Sequence, residues 1–169
     1  MRRDQLMHLV DTTMGSDTPS YALLGDGIAT LTEEFNAEVE TKHWINQKDG
    51  TSTVNAYTPS FNVEREDCID DETRTFMKKI INELPTGSKA ETYVVRVEIT
   101  DDAPVNGKAY EAYRRKFAVS AVSIGGDAGE DVTDAVSFSG VGDQVKGTFV
   151  VDTGVFTPDG STPTPTPTP

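Results

Sequence analysis

Cysteine and histidine are almost missing from this chain of 169 residues, which has one of the first and two of the second. A lone Cys68 forms no intrachain disulfide and cannot supply a thiolate-rich zinc site. Its plainest reading is a small buried hydrophobe. Positive charge is also scarce, with 15 Lys and Arg against 28 Asp and Glu, a net charge of −13. That balance argues against ordinary nucleic-acid binding, which neutralises phosphates and releases counterions. It argues equally against docking on anionic membranes. No apolar run approaches the roughly 20 residues that a membrane-spanning helix requires. The opening segment is basic at Arg2 and Arg3, but its apolar stretch is interrupted at His8 and stops at Asp11. It does not read as a secretory signal, so synthesis in the cytoplasm is expected.

Recognisable chemistry is lacking as well. There is no Gly-x-Gly-x-x-Gly fingerprint and no phosphate-cradling lysine loop. A nucleophilic triad would need His8 or His43, and no serine stands in a nucleophile-elbow context. The acidic run Glu64-Arg-Glu-Asp-Cys-Ile-Asp-Asp-Glu72 lacks the spacing, central glycine and closing glutamate of a calcium loop. Helix capping and solvated charge explain it better. Asp127, Glu130, Asp131 and Asp134 read as an exposed turn or as charge facing a partner. No catalytic, cofactor or metal site is expected, and the chain does not read as an enzyme.

What is present is strand pattern. Hydrophobic residues make up 36% of the chain and the mean hydropathy is −0.43, enough for one domain with a modest core plus loops and tails. Residues 1–20 have no sustained period and read as an N-terminal arm or weak strand. Tyr21 to Leu24 is a short apolar run closed by Gly25-Asp-Gly27. From Thr32 to Ile45, Phe35, Ala37, Val39, Thr41 and His43 share one parity and Glu34, Asn36, Glu38, Glu40 and Lys42 the other. That pattern predicts a half-buried strand with a charged outer face. Trp44 breaks its phase, suggesting a bulge or an aromatic turned toward a partner. The segment Asn46, Gln47, Lys48, Asp49, Gly50, Thr51, Ser52, Thr53 is a loop built around Asp49-Gly50, and strand pattern returns through Tyr57, Phe61 and Val63.

One helix is predicted over about 71–84. Phe76, Met77, Ile80, Ile81 and Leu84 form an apolar stripe, taken as the face that packs the helix on the strands. Asp70, Asp71 and Glu72 complement its positive end, and Pro85 and Gly87 stop it. Thr92 to Thr100 and Tyr110 to Ile124 alternate as strands. Val132 to Phe138 and Val145 to Val151 suggest a hairpin around Gly140-Val-Gly-Asp143. Arg114, Arg115 and Lys116 form the one dense basic cluster. In a strand Arg114 and Lys116 point one way and Arg115 the other, which fits edge-blunting or contact between subunits better than a flat nucleic-acid patch. Four Thr-Pro pairs, from Thr162 to Pro169, favour an extended polyproline II spacer. The organisation is therefore an arm at 1–20, a β domain at 21–156 and a Thr/Pro-rich tail at 157–169.

Several of these segments, in this order, resemble the tail tube (major tail) proteins of long-tailed, non-contractile bacteriophages. Glu38-Val-Glu-Thr-Lys-His-Trp-Ile-Asn-Gln-Lys-Asp-Gly-Thr-Ser-Thr-Val-Asn-Ala-Tyr-Thr-Pro-Ser60 is similar to the family's early strand, long loop and returning strand. The helix at 71–84 with its Pro-Thr-Gly exit, the strand ending at Ile124 with Gly125-Gly-Asp-Ala-Gly-Glu130, and Gly142-Asp-Gln-Val-Lys-Gly147 complete the set. The likeness covers roughly 20–156, and it is the ordered set that carries it. It implies a mainly β fold, an antiparallel two-sheet β-sandwich able to form a barrel, flanked by one α-helix. It further implies self-association into hexameric rings stacked into a tube, located in the virion. Other tail proteins would meet the tube ends, a tape-measure protein would lie inside, and DNA would pass through without specific binding. In the family the loop matching 46–53 helps join rings. Some members carry an immunoglobulin-like domain after the tube domain, and here only the Thr-Pro segment follows. The competing reading is a secreted or surface β-sandwich adhesion module with a Thr-Pro linker, which would be monomeric.

Overall fold

The computed structural model describes residues 1–67 and 70–160. Cys68 and the Thr-Pro pairs lie outside the described residues. Strand accounts for 49% of the structure and helix for 12%, so the fold is mainly β with one helix, in line with the expected class. The elements in chain order are β1 (Leu6–Asp11), β2 (Tyr21–Leu23), β3 (Ala37–Lys42), β4 (Thr51–Tyr57), β5 (Ser60–Glu66), α1 (Glu72–Glu83), β6 (Glu91–Glu98), β7 (Ala109–Gly125), β8 (Thr133–Val150) and β9 (Val155–Pro158). The chain divides into two compact units, and the long strands β7 and β8 contribute half their length to each.

The first unit comprises Met1–Asp26, Thr92–Lys116 and the chain from Gly142 onward. Its strands lie in the order β2, β1, β6, β7, β8, β9. Every residue of the odd set Val95, Val97 and Ile99 is buried, and with Leu9, Tyr110, Ala112 and Phe149 they form its core. The start of the chain is not an arm. β1 pairs on one side with β2, through Leu9–Leu23, and on the other with β6, through Leu6–Glu98 to Val10–Val94. Its polar residues hid this, because His8 and Asp11 are both buried. Asp11 tolerates burial because its carboxylate accepts from Thr13 N at 3.0 Å, Thr13 Oγ1 at 2.6 Å, Gly15 N at 3.2 Å and Ser20 N at 3.2 Å.

The second unit comprises Gly27–Glu91 and Phe117–Val141. Here β5 pairs antiparallel with the first half of β8, from Ser60–Ser139 to Glu66–Thr133. Phe61 stacks on Phe138 with centroids 4.5 Å apart and meets Phe117 edge-on at 5.1 Å. Asp71 caps α1 by accepting from Arg74 N at 2.7 Å. Phe76, Met77 and Ile80 are buried and Ile81 is half-buried. Leu84, placed in the stripe by spacing, is instead 65% exposed. It occupies the left-handed C-cap at φ 46°, where the chain has already left helical geometry.

The region 132–151 also differs from expectation. No turn forms at Gly140–Asp143, and β8 runs unbroken for 18 residues. The glycines serve close approach and a local change of direction inside a strand. A Cβ on Gly140 would meet the Pro59 carbonyl oxygen at 2.9 Å, and Gly142 has φ 66°. They fall between the residues of β8 that pair with β5 and those that pair with β9, Gly147 to Val150.

Candidate functional site

Two surfaces stand out, and the first is the hairpin of β3 and β4. Its register runs from Ala37–Tyr57 to Lys42–Thr51, with a bulge between Glu38 and Val39. One face carries Val39 opposite Val54 and Thr41 opposite Ser52, whose hydroxyls lie 2.9 Å apart. The other carries Glu40 and Lys42, with Glu40 accepting from Asn55 Nδ2 at 3.4 Å and lying 3.5 Å from Lys42 Nζ. All thirteen residues of the two strands are exposed. The half-buried strand expected over 32–45 is therefore corrected, since Val39 is 55% and Val54 49% exposed.

The tip adds to this. Trp44 lies beyond β3, where its carbonyl accepts from Gln47 N at 3.0 Å, and it is 57% exposed beside a fully exposed Ile45. Asn46, Gln47, Lys48, Asp49 and Gly50 form the connecting loop. Thr51, Ser52 and Thr53, assigned to that loop from sequence, are the first residues of β4, paired with Lys42, Thr41 and Glu40. A two-stranded hairpin with water on both faces is marginal by itself. Val39, Val54 and Ile45 are the residues that sequence reasoning missed as a surface, whereas the broken phase at Trp44 already points to a bulge or a partner. Alternation is the same whether a strand is covered by its own chain or by another.

The second surface is on β7 in the first unit. Arg114, Arg115 and Lys116 are all half-buried, and β7 lies between β6 and β8, so they do not blunt an edge. The Arg114 guanidinium sits 4.9 Å from the Tyr93 ring centroid and 4.7 Å from that of Phe156, and Lys116 Nζ lies 5.6 Å from Tyr93. Burial pushes the nearby Tyr21 phenol up, against the pull of Arg114. On the opposite parity, Tyr113 donates to Glu111, which also pairs with Lys146 at 3.2 Å. Arg96 stacks 5.1 Å from the Tyr113 centroid.

Charge at the helix is internal. Arg65, 2% exposed, reaches Asp71 at 3.0 Å, and Lys78 Nζ reaches Asp134 at 2.9 Å and Asp67 at 3.1 Å. Arg74 pairs with Asp67 and with Asp70. The Arg74 guanidinium, and then Lys78, hold the Asp67 carboxyl down to about 2. Much of the acidic run 64–72 is thus ion-paired and not simply solvated. Among the described residues no group of three or more His, Cys, Asp and Glu is placed to hold a metal ion. His8 is buried in β1 and His43 is exposed beside the hairpin loop.

No protein-family model matches the sequence, and no curated protein does either. Solved structures do. The SPP1 tail tube matches with a TM-score of 0.60 at 12% identity, over 86% of this chain and 78% of that one. The tail of an empty gene transfer agent (GTA) particle, determined with C6 symmetry, matches with a TM-score of 0.59 at 12% identity, over 85% and 96%. The virion of a native GTA particle gives 0.57 at 11% identity, over 85% and 96%. The chain has the tail tube fold. At this identity the likeness is one of backbone path, spanning most of both chains, so the tail tube fold is built here on its own set of side chains. No described helix is long and apolar enough to cross a membrane.

Proposed function

We propose that this chain is a structural virion protein that polymerises as stacked hexameric rings into a phage tail tube, the conduit through which DNA reaches the host. The observation that carries the reading is the uncovered β3–β4 hairpin, in a chain whose fold matches that of a tail tube structure over 86% of its length. An apolar strip of Val39 and Val54, ending in Trp44 and Ile45, remains exposed to water unless a neighbour covers it. The hairpin loop at 46–50 and the start of β4 at 51–53 are the ring-stacking contact, ordered by the adjoining ring. The C6 symmetry of the matched GTA tail supports six copies per ring.

The chain acts as a building block without catalytic chemistry. A net charge of −13 per subunit suits a conduit: a lumen of like charge repels phosphate and leaves DNA mobile, where a basic wall would trap it by counterion release. Other tail proteins meet the tube ends and a tape-measure protein occupies the lumen during assembly. The domain at 21–156, together with β1, forms the tube wall.

The test is negative-stain microscopy of the purified chain beside a variant in which 46–50 is replaced by an Asn-Gly turn. Rings or tubes are expected from the parent, and folded subunits that fail to lengthen into tubes from the variant. A parent that stays monomeric at high concentration contradicts the reading and favours a monomeric adhesion module. Normal tubes from the shortened variant contradict the stacking role.

A further inference from the structure

The sheet of the second unit has one covered face and one open face. On the covered face Phe61, Val63 and Arg65 of β5 are buried, and Phe61 packs on Phe138 and Phe117. Helix α1 lies on that side, since its cap Asp71 pairs with Arg65 and its Lys78 pairs with Asp134, the residue opposite Arg65 on β8. Alternation sends Asn62, Glu64 and Glu66 to the other side, where Ser137 stands opposite Asn62 and Ser139 opposite Ser60. Phe117 and Val119 of β7 are buried on the covered side, so Ser120, Val122 and Ile124 belong to the open one. Asn62, Glu64, Glu66, Ser120 and Ser139 are all exposed.

The chemistry of this face is one-sided. The Lys and Arg residues of the unit all lie elsewhere: Lys42 and Lys48 in the hairpin, Arg65 on the covered face, Arg74, Lys78 and Lys79 on α1, and Lys89 just after it. What the open face carries is carboxylates, an amide and short hydroxyls, with the aliphatics Val122 and Ile124 at the end of β7. A contact surface between proteins is enriched in aromatic residues, Met and Arg, and this face has none of them. A freely wetted surface mixes charges of both signs, as the hairpin does with Glu40 and Lys42. The open face fits neither description.

We propose that this open face of β5, β7 and β8 lines the bore of the tube and is the surface that DNA slides past. The proposal rests on the ring reading above and names the wall within it. A wall without Lys or Arg displaces no counterions from DNA and so gains nothing by holding it. Glu64 and Glu66 repel phosphate. The serines are short, which leaves the bore wide, and Val122 and Ile124 offer phosphate no donor.

Reagent size tests it in assembled tubes. A chain with Cys68→Ser or Cys68→Ala, whichever forms tubes as the parent does, receives one cysteine by Ser120→Cys or, in a second chain, by Glu64→Cys. N-ethylmaleimide is expected to modify either position in tubes at close to its rate in the unassembled chain. A maleimide borne on a globular protein, too bulky for a bore that passes one DNA duplex, is expected to react at least tenfold more slowly with tubes than with the unassembled chain. Equal rates of the bulky reagent with both put the face on the outside and overturn the proposal. Tubes that resist the small reagent as well, or loss of assembly in both cysteine variants, put the face at a contact between copies and also overturn it. A parent chain that never forms tubes overturns the wall together with the ring reading.

Discussion

Strands β3 and β5 are written in nearly the same way and meet opposite fates. In β5, Phe61, Val63 and Arg65 share one parity and Asn62, Glu64 and Glu66 the other; the first set is buried and the second exposed. In β3, Ala37, Val39 and Thr41 alternate with Glu38, Glu40 and Lys42, and every residue is exposed. β5 lies against β8 in a cluster of three phenylalanines, whereas β3 has only β4, itself uncovered. Alternation thus states which residues share a face and is silent about what covers it. An uncovered face with apolar members is what a subunit offers to a neighbour.

The sharpest way to break this comparison is to truncate the apolar member of each strand. Phe61→Ala should cost about 3–5 kcal/mol in denaturant unfolding of the monomer, since the ring is fully packed. Val39→Ala should stay within about 0.5 kcal/mol in the same measurement. Comparable losses would show that the hairpin face is buried in the monomer. The helix offers the same contrast at smaller scale. Ile80→Ala should cost about 2–5 kcal/mol, whereas Leu84→Gly, at a left-handed position, should stabilise by about 0.5–1 kcal/mol. A destabilised Leu84→Gly would place that side chain in the core.

A still smaller effect separates the ionic anchoring of α1 from the hairpin's open charges. The Asp67 carboxyl titrates near 2 in the folded chain against 3.8 ordinarily. A lowered carboxyl adds stability above its unfolded value and loses it as pH falls toward the folded one. That part of the acid limb should therefore lie between about pH 4 and pH 2 and should flatten in Asp67→Asn. An unchanged limb in thermal melts would mean that Arg74 and Lys78 do not hold Asp67 in solution.

How much was legible follows from the range of each signal. Helix α1 was readable because its stripe, its cap at Asp71 and the stop at Pro85 are all local. β5 and β6 were readable from period two. β1 was underrated because burial of Asp11 depends on donors as far along as Ser20. β8 was split in two because Gly140 and Gly142 are turn residues by composition and strand residues by context. The helix charge cluster was invisible because Lys78 and Asp134 lie 56 positions apart. The resemblance of ordered segments to tail tube proteins led to the fold that the solved tail structures share.

The central claim, that another copy covers the β3–β4 hairpin, is tested most directly by hydrogen–deuterium exchange on monomer and polymer side by side. Amides of 37–57 should exchange fast in the monomer, as expected for a hairpin without a packed face, and become strongly protected in the polymer, while those of β5 are slow in both. Tubes in which 37–57 exchanges as fast as in the monomer would contradict the claim.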